Sequence, residues 1–257
     1  MIRVVNWGVA GSVVDAGHAG RAWMGQSRGG AVDLASLFLA NRLVGNPEVL
    51  AGIESSGGLT VFFEEPTMVA IAGAVADVRV VDGPPVGWGN PTVVPSGSTL
   101  RIGRLVDGAR VYIAVRGGVS AEPDALVVGA DPLTPAASQP AARAALPSSL
   151  RIWPGPRLDW AADDTWSQLL GGTFTVTETS RVGVRLTGPL LRRARLDELP
   201  SEGMVEGAVQ LPPDGSPIIM LADHPTTGGY PVIAVLDPAA IPAAAQAAVG
   251  VRLRFSR

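Results

Sequence analysis

Ile218-Ile-Met-Leu-Ala-Asp-His-Pro-Thr-Thr-Gly-Gly-Tyr-Pro-Val-Ile-Ala-Val-Leu236 sets two short apolar runs on either side of a polar, glycine-containing loop. Runs this short, bounded by Gly, Pro and Asp, predict strands rather than helices. The pattern repeats outward in both directions. Leu150 to Trp153, Gly172 to Glu178, Gly183 to Leu186, Gly207 to Leu211 and Val251 to Phe255 read as strands in the same half of the chain. Leu59 to Phe63, Val69 to Ala72, Val78 to Val81, Thr99 to Ile102 and Arg110 to Val115 read as strands in the other half. With 32 Gly and 22 Pro in 257 residues against 47% apolar residues, the chain is folded, rich in turns and mainly β.

Helical signals are few and local. Asp33 is placed to cap a helix running to Leu43, with Leu34, Leu37, Phe38 and Leu43 near one face and Gly45 past its end. Asn46-Pro47-Glu48 has the signature of a second, shorter turn, with Asn as cap and Pro at the first position. Asp237-Pro238 starts a third, which Pro242 is expected to break or kink. The stretch 134–149, small residues with three prolines, is the best linker. The expected division is therefore residues 1–133, a linker 134–149, and residues 150–257.

Several chemistries are excluded by composition. All 20 basic residues are Arg, so no lysine is present for a phosphate-binding loop, a Schiff base or covalent biotin. Without Cys, thiolate metal sites and thiol nucleophiles are excluded as well. With only His18 and His224 as imidazoles, no metal site is expected. Twenty Arg balance 23 acids without a long basic run, which argues against a nucleic-acid partner. The longest apolar stretch, 68–76, is half a membrane span, so no membrane role is expected and the chain reads as cytoplasmic.

Polar residues concentrate in three places. The first is Asp223 to Pro231, where Gly228 and Gly229 permit positive φ and the hydroxyls of Thr226, Thr227 and Tyr230 add donors suited to a small polar or anionic group. The same residues read equally as a hairpin turn that satisfies its own backbone. The second comprises Asp15, Asp33, Asn41, Arg42 and Glu54; Asn41 shares the apolar helix face and needs an internal partner. Asn41 and Glu54 can equally anchor loop amides. The third pairs Arg181 with Arg185, an even spacing that puts both on one side of an extended strand, where they would clamp a carboxylate or phosphate, or one of them would equally salt-bridge to an internal acid.

Seven segments, taken in order, resemble one known family. They are 29–33, 40–47 (Ala-Asn-Arg-Leu-Val-Gly-Asn-Pro), 71–74, 112–118, 181–188, 207–215 and 223–231 (Asp-His-Pro-Thr-Thr-Gly-Gly-Tyr-Pro). The chain is identified by them as similar to the allophanate hydrolase subunit 2 family, which also includes the C subunits of 5-oxoprolinase and the biotin-dependent carboxyltransferase domains. The resemblance implies two cyclophilin-like β-barrel domains, each with a short helical element, and a pocket between them. It also implies a companion subunit 1, joined by a third subunit in the 5-oxoprolinase case, and ATP-dependent opening of an amide or lactam, 5-oxoproline being favoured, with the ATP site on this chain or on the companion. On that basis Asp223 or Glu54 is the acid/base candidate and Tyr230, Thr226 and Thr227 surround the reacting oxygen with donors. Gly228 and Gly229 allow close approach, Asn41 and Gln210 recognise the amide, and Arg185 holds a carboxylate or phosphate. Any carboxybiotin must arrive on a partner. Two other roles fit the same family: a non-catalytic binding partner that antagonises a kinase inhibitor, and a urea carboxyltransferase component. Val14-Asp15 and Gly17-His18 depart from the family pattern, and the segment after Gly118 is shorter than in relatives.

Overall fold

The computed structural model describes residues 1–122 and 125–257 and divides them into two compact units. The first comprises Met1–Gly17 and Asp33–Ala144, the second His18–Val32 and Ala145–Arg257. The sequence division at 134–149 thus misses one exchange, because the segment 18–32 groups with the C-terminal barrel. The stretch expected as a linker is also tied down in part: Ala137 N–H donates to Leu43 O and Ala141 N–H to Gly89 O, both in the first unit.

The first unit contains β1 (Ile2–Asn6), β2 (Gly11–Val14), β3 (Gly52–Ser55), β4 (Thr60–Phe63), β5 (Thr67–Val80), β6 (Thr92–Val94), β7 (Ser98–Val115), β8 (Val119–Ala121) and β9 (Leu126–Val128). They join in a single sheet of nine strands in the order β2-β3-β7-β4-β1-β9-β8, with β5 on the other edge of β7 and β6 beyond it. β5 and β7 are each one long strand where the sequence suggested two, since Gly and Ala at their middles produce register shifts rather than turns. Residues 123 and 124, within the shortened segment after Gly118, lie outside the described residues.

Alternation along β5 and β7 explains where the core and the helix sit. Val69 and Ile71, with Val111, Ile113 and Val115, point into the barrel core beside Ile2, Phe63 and Leu100. The alternate residues Ala70, Ala72 and Ala114 face outward to Ala40, Leu43 and Val44 of α1 (Leu34–Leu43) and the turn after it. Small strand residues let the helix approach closely. Asp33 caps α1 by accepting from Ser36 N–H at 3.1 Å.

The second unit is a closed barrel of β10 (Ser149–Pro154), β11 (Phe174–Thr179), β12 (Gly183–Thr187), β14 (Ala208–Gln210), β15 (Ile218–Met220), β17 (Val232–Leu236) and β18 (Arg252–Ser256). All neighbours are antiparallel except β10 and β18, whose parallel pairing of Leu150 with Phe255 closes the ring. A separate two-stranded ribbon joins β13 (Glu202–Gly203) to β16 (Thr227–Gly228). The core is aliphatic, with Phe174 and Phe255 tilted against each other at 5.4 Å. Helix α2 (Thr165–Gly171) carries no strong sequence signal. At the third expected helix Asp237 accepts from Ala239 N–H, and a 3-10 turn over Pro238–Ala240 passes into α3 (Ile241–Ala245) with Pro242 in its first turn. Pro242 there starts a helix rather than interrupting one. No helix among the described residues is long and apolar enough to cross a membrane.

Candidate functional site

In the first unit, β3 sets Glu54 opposite Tyr112 of β7, on the face away from the barrel core. The Tyr112 hydroxyl donates to Glu54 Oε2 at 2.7 Å and accepts the Asp33 backbone N–H at 2.8 Å. Arg110, two residues along the strand, brings its Nε within 3.9 Å of Glu54 Oε1. All four residues are buried. Burial, and after it the charges of Glu54 and Asp33, push the Tyr112 phenol well above its ordinary range. The phenol is a neutral donor that ties the sheet to the start of α1. Neither Tyr112 nor Arg110 carries a functional signal of its own in the sequence, although Tyr112 opens one of the segments that carry the family resemblance.

Asn41 lies on the inner face of α1 and uses its amide there. Its Nδ2 donates to Glu48 O (3.0 Å) and Leu50 O (2.7 Å), and its Oδ1 accepts from Asn46 Nδ2 (2.9 Å). Asn46 also donates to Val115 O and accepts the Gly117 N–H, both at 2.8 Å. Asn46 is therefore a buried brace between the helix exit and the end of β7, not a helix cap.

In the second unit the loop 223–231 and the segment 28–31 come together. Arg181 donates to both Asp223 oxygens, at 2.7 and 3.1 Å, and to Gly30 O at 2.6 Å. Arg28 forks onto Glu206 with two contacts of 2.9 Å and reaches Ala31 O at 3.1 Å. Gly29 and Gly30 both have positive φ (61° and 68°), which L side chains adopt with strain, and Gly29 N–H donates to Ala222 O at 3.1 Å. Two half-buried arginine forks thus fasten the segment that precedes α1 onto this barrel.

Of the two uses open to Arg181 and Arg185, the joint clamp does not form and ion pairing to acids of the chain does. Strand β12 begins at Gly183, so Arg181 sits in the preceding turn and pairs with Asp223, while Arg185 pairs with Asp214 on the outside of the barrel. The backbone N–H of Ser216, with Arg185 adding to it, holds the Asp214 carboxyl below the usual range.

The Gly-Gly pair also works differently from expectation. Neither Gly228 nor Gly229 has a positive φ, and Gly228 belongs to β16 instead of to a hairpin turn. A Cβ on Gly228 would lie 2.3 Å from Met204 Cε and 2.9 Å from Gln210 Nε2, so any side chain there would have to displace the ends of these two side chains. Gln210 is buried and donates to Tyr230 O at 3.2 Å. Tyr230 is 44% exposed, and Arg193, anchored on Leu211 O, covers its ring at 5.5 Å. Arg157 beside Glu202 holds that carboxyl below its ordinary range, at the base of the same ribbon.

What remains open to a ligand on this loop is specific. Among the described residues no side-chain hydrogen bond holds the hydroxyls of Thr226, Thr227 or Tyr230. His224, which as a lone imidazole gives little signal in the sequence, has its Nδ1 2.8 Å from Pro225 O. Nδ1 facing a carbonyl oxygen is the donor there, and Nε2 is the ring nitrogen that this bond does not use. The loop thus offers three free hydroxyls, with the His224 imidazole buried at its start. Asp223 and His224 stand at its start, Gln210 and Tyr230 at its end. Asn41 and Glu54 belong to the first unit and Arg185 to the opposite side of the strand pair.

The family model described as carboxyltransferase domain, subdomain A and B, matches residues 24–130 and 122–257. The chain is 31% identical to the C subunit of 5-oxoprolinase from Escherichia coli (strain K12), over 99% of this chain and 90% of that protein. Urea amidolyase of Saccharomyces cerevisiae is 38% identical over 104 residues, which are 40% of this chain and 6% of the relative. The crystal structure of TTHA0988 superposes with a TM-score of 0.89 at 31% identity, over all of this chain and 56% of that one, so the chain spans about half the length of that relative.

Proposed function

The chain belongs to the carboxyltransferase family of subdomains A and B, and from that premise we propose that it is one subunit of an amide- or lactam-opening complex of 5-oxoprolinase type. In this reading it acts with a companion subunit on 5-oxoproline, and ATP is consumed. The observation that carries the proposal is the likeness to the C subunit of a 5-oxoprolinase along nearly the whole of both chains. The sequence likeness to the urea amidolyase of Saccharomyces cerevisiae covers 40% of this chain.

A lactam carbonyl is a poor electrophile, and phosphorylation of its oxygen by ATP supplies a leaving group. The protein's part is then orientation and stabilisation of developing charge. Thr226, Thr227 and Tyr230 supply the donors, and His224 Nε2 takes the proton of the attacking water. Asp223 is engaged by Arg181, and Glu54 is buried under Tyr112, which suits both to positioning. The start of α1 does not suit the phosphates of ATP, because the carboxylate of Asp33 already accepts from its first turn and would repel them. In this reading the activating step belongs to the companion.

The test is reconstitution with the companion subunits. Release of glutamate from 5-oxoproline, dependent on ATP and on this chain, is the expected result, and its absence sinks the proposal. A carboxyltransferase reading is favoured by the carboxyltransferase family model and by the urea amidolyase likeness, and it needs biotin on a partner, since this chain has no lysine to carry it. Capture of the assembled complex on avidin distinguishes the two.

A further inference from the structure

Strands β5 and β7 carry a charge cluster that the proposed reaction does not use. Their register passes from Val78 opposite Ile102 to Ala76 opposite Leu105. One residue of β5, Asp77, therefore faces two of β7, Gly103 and Arg104, which is a β-bulge. In a regular strand residues three apart point to opposite faces. An extra residue resets that alternation and re-aims a side chain. Here Ile102 is buried while Arg101 and Arg104, three apart, are both exposed, so the bulge turns Arg104 to the same outer face as Arg101.

Across the pair Arg79 lies directly opposite Arg101. Like charges in that position repel and destabilise an antiparallel pair. Asp77 relieves only one of the three arginines, accepting from Arg79 at 2.8 Å on each oxygen. Arg101 and Arg104 have no acidic partner among the described residues. Arg79, Arg101, Arg104, Asp77 and Gly103 line one groove of about 370 Å³. Three guanidinium groups against one carboxylate leave a surplus of two positive charges there. We infer that this groove binds a phosphate-type dianion, whose charge matches the surplus and whose oxygens accept the planar forks of Arg101 and Arg104.

The full chain titrated with inorganic phosphate at low ionic strength, by calorimetry, tests this. One phosphate per chain is expected, with affinity falling as salt is added. Arg101→Gln and Arg104→Gln should each weaken it about tenfold, since each removes a charge-assisted fork. Arg104→Lys keeps the charge without the fork and should fall between wild type and Arg104→Gln. Arg42→Gln removes the same charge from an exposed pair elsewhere and should change nothing. A parallel titration with ATP identifies the source: tighter binding than phosphate marks the terminal phosphates of a nucleotide, and equal or weaker binding marks the free ion. No binding of either by the wild-type chain overturns the site. Equal loss in Arg42→Gln and Arg104→Gln, or none in Arg104→Gln, overturns it as well.

Discussion

Replacing Tyr112 by Phe deletes one oxygen atom from the interior of the first unit and breaks two hydrogen bonds, at 2.7 Å to Glu54 and 2.8 Å from Asp33 N–H. A bond to a carboxylate contributes about 2 kcal/mol and one from a neutral amide about 1 kcal/mol, so the expected loss is about 3 kcal/mol. For a unit of this size that corresponds to a fall in Tm of about 10 °C. Calorimetry or urea unfolding measures it. The same residue also sets an alkaline limit. Burial and its two acidic neighbours hold the phenol above its ordinary value, so the folded chain keeps a proton that the unfolded chain releases near pH 10. That contribution is fully present below about pH 10 and is lost as the pH rises beyond it toward the folded value. The Phe variant has no such proton and should lack that part of the alkaline decline. A Tm loss under about 2 °C, or an alkaline decline as steep as that of the wild type, would refute the buried bridge.

Asn46→Ala removes three buried hydrogen bonds, to Asn41, Val115 and Gly117, and should lower stability by about 3 kcal/mol in urea unfolding; a loss below about 1 kcal/mol contradicts the brace. Asp223→Asn withdraws the charge from the Arg181 fork that holds Gly30 O, so limited proteolysis should cut at the exposed Trp23 and Met24 faster than in wild type, and unchanged cutting rates contradict the fastening role.

Much of the fold is legible because strand formation here is a local matter. Val209, Ile219, Ile233 and Leu253 sit in short apolar runs closed off by Gly, Pro or Asp, and each becomes a barrel strand with its side chain in the core. The α1 start is equally local, since Asp33 and the Ser36 amide it caps are three residues apart. The long strands β5 and β7 are harder to read, because a glycine that marks a turn and one that marks a bulge look the same in sequence. The segment 18–32 carries no periodic signal at all. It is fixed by Arg28 and Glu206, which are 178 positions apart, and by Arg181 reaching Gly30 across 151.

The candidate site shows the same boundary. The string Asp223 to Pro231 stands out in the sequence because Thr, Gly, Tyr and His crowd between two apolar runs. Its chemistry does not stand out, because a side chain's role depends on what it already touches. Asp223 has the makings of a catalytic acid, but Arg181 occupies both of its oxygens; Arg185 has those of a clamp, but Asp214 takes it up. Gly228 suggests backbone freedom, whereas its φ is not positive and the ends of Met204 and Gln210 fill the space beside it.

The sequence by itself determined the mainly β class, the family, and the exclusion of lysine and cysteine chemistry, since these depend on residue type and on neighbours a few positions away. Tertiary structure decided which polar groups are free. Hydroxyls at 226, 227 and 230 stay open, while Asn41, Glu54, Asp223 and Arg185 are each engaged by residues that chain folding brings near. The physical reason is that hydrogen bonds and ion pairs form at about 3 Å, a separation that sequence distance does not encode.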